Sequence, residues 1–156
     1  MNKKPSSADS ETDGLRPPEG WRKLDLEAHT SHLERIGPIF YRRNEDGNQQ
    51  FAARVQSYNL NYAGHSHGGM LMSLADFAAC SVAMKDPKDV VATISFNCEF
   101  IQPGPRGALV VADVEPVRRT ETISFLRGQI KCRHRVLLNF SATVKRMRRR
   151  ETSRAV

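Results

Sequence analysis

The sequence predicts an α+β fold in which one long helix packs on an antiparallel sheet of about six strands. Residues 69–84 form the long stretch with helical periodicity, because an apolar stripe recurs there at intervals of three and four residues, at Leu71, Leu74, Ala75, Ala78 and Val82. Later segments alternate apolar and polar residues with period two, which is typical of half-buried strands. The connections between these segments are too short for crossover helices, so we expect successive strands to be antiparallel neighbours.

The six strands are predicted at residues 37–43, 50–57, 90–101, 108–117, 122–132 and 136–145. The first two form a hairpin, and a short helix is expected before it, within residues 21–33. In the third strand the alternation places Phe96 and Phe100 on one side and Thr93 on the opposite, polar side. A curved sheet wrapped around the helix would leave strand edges open to a second subunit.

Length and composition are those of one globular domain that needs neither disulfides nor metal. The 156 residues include 39% hydrophobic and 26% charged residues, and no apolar run resembles a membrane span or a signal peptide. We therefore expect a cytoplasmic protein without membrane contact. The three cysteines, Cys80, Cys98 and Cys132, lack paired or metal-ligand spacing, which predicts free thiols and no metal site.

The net charge of +7 is concentrated at one end of the sequence. Residues 145–156 contain six cations and one carboxylate, which leaves the rest of the chain nearly balanced. We predict a disordered leader at residues 1–20, a single domain at residues 21–145 and a flexible basic tail at residues 146–156. We expect no nucleic-acid partner, because the body of the chain carries little net charge; the alternative is that the basic tail contacts RNA, anionic lipid or a phosphorylated ligand.

The most informative stretch, residues 61–76, joins a glycine-rich polar turn to the start of the long helix. Gly68 and Gly69 expose backbone N–H groups at the positive end of that helix, which suits a developing oxyanion but also suits a merely tight turn. Asp76 lies about two turns further on, beyond the reach of a capping role. A carboxylate there fits a nucleophile or a general base, and the alternative is a solvated or salt-bridged aspartate.

The order and spacing of five motifs resemble a known family. The motifs are Asn61, His67-Gly68-Gly69, Leu74-Ala75-Asp76, Thr93 and Phe100-Ile101-Gln102-Pro103. Over roughly residues 37–144 the chain resembles the hotdog-fold acyl-CoA thioesterases, specifically the PaaI-like (phenylacetate-pathway) branch. The resemblance implies a hotdog fold, a homodimer that often pairs into a tetramer, and active sites at the subunit interface.

The resemblance also implies roles for individual residues. Asn61, His67 and Gly68 of one subunit would face Asp76 and Thr93 of its partner, so a monomer would be inactive. Thr93 would orient the attacking water, although threonine is also simply common in strands. Asn61 would orient the substrate carbonyl or the water, or could instead cap its own loop. For His67 we favour a role in fixing the turn by hydrogen bonding over a role as a base.

The implied reaction is hydrolysis of a small-to-medium or aromatic acyl-CoA to a free acid and CoA. No cofactor is expected, because CoA is part of the substrate. Gly69 would contact the substrate, and cations near the site mouth would meet the CoA phosphates. The candidate cations are Arg106, Arg118, Arg119 and Arg127. Two other functions stay open: a non-catalytic acyl-CoA-binding or regulatory hotdog protein, and a hotdog enoyl-CoA hydratase, which would need an Asp and a His acting together.

Overall fold

The computed structural model describes residues 15–25, 32–86 and 89–147 of the chain. Its elements in chain order are strand β1 (Arg22–Lys23), helix α1 (His32–Ile36), strands β2 (Ile39–Arg43) and β3 (Gln49–Arg54), a 3-10 turn (Ser57–Asn59), helix α2 (Gly68–Ala83), and strands β4 (Val90–Phe100), β5 (Leu109–Arg119), β6 (Ile123–Cys132) and β7 (Arg135–Met147). One long helix and an antiparallel sheet confirm the predicted α+β class.

The predicted ends of the domain fall partly outside the described residues. Residues 1–14 of the expected leader and 148–156 of the expected tail are not among them. Strand β7 continues through Met147, into the segment predicted as tail. The short helix expected within residues 21–33 is wrong in its first part, because β1 pairs there with β2 and buries Trp21 beside Phe40.

Helix α2 buries a broad face against the sheet. Four residues of the predicted apolar stripe are at most 2% exposed: Leu71, Leu74, Ala75 and Ala78. Ala79 and Ala83 are fully buried as well, so the buried face is wider than the predicted stripe. Small side chains on that face let the strands approach the helix closely from several directions. In the described part of the chain, no helix has the length and apolar character needed to cross a bilayer.

The seven strands form one antiparallel sheet in the order β1-β2-β3-β5-β6-β7-β4. The hairpin of β2 and β3 and the meander from β5 to β7 match the prediction. The expectation that β4 and β5 are neighbours is wrong, because β4 pairs with β7 from Val90 opposite Met147 to Phe100 opposite Leu138. Strand β4 is therefore an edge strand of this chain.

The connection at residues 101–108 is long enough to cross the end of the sheet. Two strands separate β4 from β5, which requires a span of ~14 Å at the usual strand spacing. Eight extended residues reach up to ~27 Å. The connection is held at that end by Ile101 N–H, which donates to Leu137 O (2.8 Å), and by Gly104 N–H, which donates to Ser66 Oγ (3.1 Å). The shortness of this connection excludes a crossover helix, as predicted, but it does not require β4 and β5 to be neighbours.

A β-bulge in β4 changes the side on which this strand presents its side chains. The extra residue, Ile94, lies between Thr93 and Ser95, where the register with β7 shifts. Such a bulge reverses the alternation that follows it. Thr93 consequently faces α2, as do Phe96 and Phe100 beyond the bulge. The predicted placement of Thr93 on the side opposite these two rings is therefore wrong.

A glycine in β6 allows an aromatic stack that ties three strands together. Phe140 of β7 lies opposite Gly128 of β6 and stacks on Phe96 of β4, with ring centroids 5.4 Å apart and planes 15° apart. A Cβ added at Gly128 would lie 2.5 Å from Asp113 O and would overlap the Phe140 ring. The missing side chain is thus what admits the ring.

We expect Gly128→Ala to lower the free energy of unfolding by about 1–3 kcal/mol, because the new methyl group must displace the Phe140 ring or the β5 backbone. Urea denaturation would measure the change. Ser141→Ala, at an exposed position of the neighbouring strand, is the matched control and should change stability by less than about 0.5 kcal/mol. Equal stability of Gly128→Ala and the wild type would contradict this account of the stack.

Candidate active site

Asp76, Thr93 and Cys80 form a hydrogen-bonded cluster that we call the carboxylate half-site. Thr93 Oγ1 donates to Asp76 Oδ1 at 2.6 Å, and Cys80 Sγ lies 3.3 Å from the same hydroxyl oxygen. A hydroxyl has one proton, and here that proton points to Asp76, so the Cys80 thiol is the donor of the second bond. Oδ2 of Asp76 has no hydrogen-bond partner among the described residues. It is the atom left to act on a ligand.

An open cavity of about 510 Å³ lies beside the carboxylate half-site. Its walls are largely apolar, with Leu33, Met72, Phe77, Val91 and Phe96 among them. His32 of α1 also lines it, with Nε2 2.8 Å from Ser73 Oγ. Because the Ser73 hydroxyl donates to Gly69 O (2.8 Å), the His32 ring is the donor in its bond to Ser73. Its Nε2 proton is therefore directed at Ser73.

The turn before α2 carries the second cluster, the turn half-site, which consists of Asn61, His67 and Gly68. His67 is the N-cap of α2, and its Nδ1 accepts a hydrogen bond from Gly69 N–H at 2.9 Å. An acceptor Nδ1 requires the neutral ring with its proton on Nε2. His67 thus fixes the turn, and it engages the Gly69 N–H. The Gly68 N–H has no hydrogen-bond partner in the described part of the chain.

Phe100 explains why residue 68 is a glycine. A Cβ at Gly68 would lie 2.8 Å from Cε1 and 2.9 Å from Cζ of the Phe100 ring. The ring therefore packs directly on the Gly68 backbone. Through this contact β4 reaches the N-terminus of α2, while its other end brings Thr93 to Asp76.

Asn61 closes its own loop with its side-chain oxygen. Asn61 Oδ1 accepts from Ala63 N–H (3.0 Å) and His65 N–H (3.1 Å). This is the capping role that the sequence left open. The side-chain NH₂ group of Asn61 has no partner among the described residues and lies on an exposed residue. It remains available as a hydrogen-bond donor.

The two half-sites of one chain lie too far apart to act on one carbonyl group. Gly68 and Asp76 are eight residues apart in α2, which corresponds to ~12 Å along the helix axis. An oxyanion donor and an attacking group must both lie ~3 Å from the reacting atoms. The structure thus joins Asp76 with Thr93, and His67 with Gly68, but it does not join the two pairs within a chain.

The four predicted phosphate-binding arginines are spread over the sheet. Arg106 precedes β5, whereas Arg118 and Arg119 end it, a strand length of ~33 Å. Arg119 Nη2 donates to Val82 O at the end of α2 (2.8 Å), and Arg127 forms an ion pair with Glu115. Only Arg106 lies at the end of the sheet that carries the turn half-site, since Pro105 pairs with His65.

Neither the cavity described next nor any candidate metal cluster among the described residues brings the predicted site residues together. A cavity of about 630 Å³ has polar walls that include Gln50, Asp113 and Asn139, with Arg127 as the only predicted site residue among its described lining. Among the described residues, no group of three or more His, Cys, Asp or Glu side chains is arranged to hold a metal ion.

Comparison with known proteins shows a family that the chain is similar to. The family model described as "Thioesterase superfamily" matches residues 63–138, which contain most of both half-sites. The match covers just under half of the chain, which is thus similar to members of this superfamily. This similarity and the fold agree with the resemblance noted in the sequence.

Solved structures share the fold at low sequence identity. The Haemophilus influenzae thioesterase HI1161 superposes with a TM-score of 0.70 at 16% identity, covering 85% of this chain and 96% of that one. The Escherichia coli PaaI protein gives 0.59 at 20% identity, with coverages of 64% and 72%. The Bacillus halodurans protein BH2602, solved with CoA, gives 0.60 at 16% identity, with coverages of 67% and 70%. At these identities the likenesses show a shared fold.

A curated sequence relative is a Pseudomonas aeruginosa protein named a "putative esterase". It is 28% identical to this protein over 89 residues, or 55% of this chain. The match spans 64% of the relative's length.

Several residues of the site were missed in the sequence. Cys80 could have been found, because it lies four residues after Asp76 and therefore on the same helix face. The Phe100 contact with Gly68 and the His32 contact with Ser73 join distant segments, and no local pattern signals them. Thr93 was found, but through the motif and with its side chain assigned to the wrong side of β4.

The Cys80 thiol is expected to report the charge of Asp76. Burial is the main cause that raises the pKa of Cys80; the Thr93 hydrogen bond lowers this pKa in part, and the Asp76 carboxylate makes a smaller contribution that raises it. The thiolate is the reactive form, so alkylation of Cys80 should accelerate only as the pH passes this raised pKa. Asp76→Asn removes one source of the shift and should make the alkylation faster at mildly alkaline pH.

Alkylation with iodoacetamide, resolved by mass spectrometry for each cysteine, measures this effect. Cys98 is the internal control, because burial and Glu99 raise its pKa independently of Asp76. An unchanged rate at Cys80 in Asp76→Asn, across the whole pH range, would show that the two groups do not interact.

Proposed function

We propose that the protein is an acyl-CoA thioesterase whose active site is completed by a second copy of the chain. It hydrolyses small-to-medium or aromatic acyl-CoA to a free acid and CoA. The observation that carries this proposal is the hydrogen-bonded Asp76–Thr93 pair on an open apolar cavity, ~12 Å along α2 from the unpaired Gly68 N–H. The neighbour solved with CoA supports the choice of carrier.

The turn half-site is suited to stabilising the oxyanion of the tetrahedral intermediate. The Gly68 N–H lies at the positive end of α2, where a fixed donor favours developing negative charge. The Nε2 proton of His67 and the NH₂ group of Asn61 are further donors on the same turn. Gly69 contributes by donating, through its backbone N–H, the capping hydrogen bond to His67 that fixes this geometry.

The carboxylate half-site supplies the attack on the carbonyl carbon. Asp76 acts as the nucleophile or as the base that activates a water molecule. The Thr93 hydroxyl holds one carboxylate oxygen, so the other is presented to the cavity in a fixed orientation. The apolar walls of the cavity suit a short or aromatic acyl group.

The exposed edge of β4 is the surface that would bring the two half-sites together. Large side chains of β4 and of the residue that follows it are exposed, with Ile94 at 58%, Phe100 at 56% and Ile101 at 48%. An unpaired edge strand with exposed apolar side chains favours pairing with another chain. Pairing of two copies there yields a homodimer, and pairs of dimers a tetramer, in which Asp76 of one chain faces Gly68 of the next.

The two alternative functions have less support. A hydratase would need an Asp and a His acting together, and His32 shares the cavity with Asp76 but directs its Nε2 proton to Ser73. A non-catalytic binding protein has no need for a carboxylate oriented by a hydroxyl. Release of a free thiol from acyl-CoA, followed with a thiol reagent, identifies the thioesterase, whereas loss of the enoyl double bond identifies the hydratase.

Asp76→Asn is expected to lower kcat by about 10²- to 10⁴-fold, because the amide can neither attack nor accept a proton. Thr93→Val should cause a smaller loss and Thr93→Ser should retain activity, since only the hydroxyl is needed. Asp46→Asn, the same chemical change in the exposed β2–β3 turn, is the control. Turnover that survives Asp76→Asn unchanged over a panel of acyl-CoAs would refute the mechanism.

Complementation tests the two-chain site directly. Asp76→Asn damages only the carboxylate half-site, and Asn61→Ala damages only the turn half-site. If each variant alone has little activity, random exchange of the two in a twofold dimer should restore about a quarter of wild-type activity, because half of the dimers are mixed and each has one intact site.

A second mixture is the control for complementation. Asp76→Asn mixed with Thr93→Val damages the same half-site in both chains, so activity should not rise above that of the separate variants. Failure of the first mixture to recover activity, with subunit exchange demonstrated, would place the whole site within one chain.

A further inference from the structure

Four arginines converge on a cavity at the end of the sheet where α2 begins. The cavity has a volume of about 510 Å³, and its cationic lining consists of Arg54, Arg106, Arg133 and Arg135, with His134 beside them. None of the residues that line it is a carboxylate. The four arginines come from the end of β3, the loop before β5, the β6–β7 turn and the start of β7.

Their hydrogen bonds leave the positive charge of this cluster uncompensated. Arg135 donates through Nε and Nη2 to the neutral Gln102 Oε1, at 2.9 and 2.7 Å. Arg54 Nη1 donates to Gly107 O at 3.1 Å, while Arg54 Nε is buried without a partner. A buried N–H without an acceptor is costly, and an anion in the cavity would supply one.

The conformation of Arg133 is a second, independent sign that a cation is required there. Arg133 is the only residue other than glycine with a positive φ in the described chain, at 55°. The two-residue turn between β6 and β7 favours Asn or Gly at such a position. An arginine accepts backbone strain there, which points to a use for its side chain.

The cluster lies at the same end of the molecule as the turn half-site. The loop that carries Arg106 is bonded to the loop before α2, through Pro105 opposite His65 and through Gly104 N–H to Ser66 Oγ. A long ligand could thus place its anionic end in the cluster and its thioester beside the Gly68 N–H.

We propose that Arg54, Arg106, Arg133 and Arg135 form the binding site for the phosphate groups of the CoA carrier. The inference rests on the proposed function for the identity of the ligand, since CoA carries both a pyrophosphate and a ribose phosphate. Guanidinium groups bind such oxygens in bidentate fashion. Of the arginines predicted from the sequence, only Arg106 belongs to this site.

Titration calorimetry with CoA tests the site without requiring turnover. Arg133→Asn relieves the strained turn, so this variant should fold at least as stably as the wild type while binding CoA more weakly. Each of Arg133→Asn and Arg106→Gln is expected to weaken binding about tenfold, and the double variant about 100-fold, as for the loss of charge-assisted hydrogen bonds. Arg22→Gln, at an exposed position of β1, is the control and should bind as the wild type does.

Comparison of two substrates shows whether the arginines act on the nucleotide end. The double variant should raise KM for acyl-CoA with little change in kcat, and should leave KM for the matching acyl-pantetheine unchanged. Wild-type affinity for CoA should fall with rising salt. CoA affinity equal in the double variant and the wild type, or wild-type binding of pantetheine as tight as that of CoA, would overturn the inference.

The outcomes separate this inference from the proposed function. If the wild-type protein binds CoA through the arginines but hydrolyses no acyl-CoA, the anion-site inference stands and the proposed thioesterase activity is refuted. If the double variant hydrolyses acyl-CoA with unchanged KM, the proposed thioesterase activity stands and the anion-site inference is refuted.

Discussion

The packing of one alanine-rich helix inside a curled sheet is the constraint on which the other features depend. Ala75, Ala78, Ala79 and Ala83 present almost no side-chain bulk, so the strands can close around α2. The same packing fixes the direction of the helix, with Gly68 at one end and Asp76 in the middle. A rigid helix holds these two residues ~12 Å apart. The helix at the centre of the core therefore also keeps the Gly68 N–H and the Asp76 carboxylate apart.

Strand β4 supplies the contacts that complete the site residues of this helix. It runs along α2 and contacts it at two places, with Phe100 on Gly68 and Thr93 on Asp76. The bulge at Ile94 allows both contacts, because without the extra residue Thr93 and Phe100 would face opposite sides of the strand. A local irregularity thus decides whether the carboxylate has a hydroxyl partner.

Local patterns in the sequence predicted the elements well and their arrangement less well. Periodicity located α2 to within one residue at each end, and the motif spacing selected Asp76 and Thr93 as a pair. The pairing of β4 with β7 joins segments far apart in the chain, and the periodicity of apolar residues within each strand carries no information on it. The bulge was missed because alternation was extrapolated through Ile94. The arginine cluster was missed because its members come from four segments that only the sheet brings together.

The pairing of β4 with β7 has a consequence for how the chain folds while it is being synthesised. Strand β7 is synthesised last of the seven, so β4 waits unpaired while β5 and β6 leave the ribosome. Contacts between such distant segments form slowly, because a large loop must close first. Until β7 is in place, the β4 backbone and its apolar side chains are open to other chains. We therefore expect the geometry around Asp76 and Thr93 to mature only after translation passes β7.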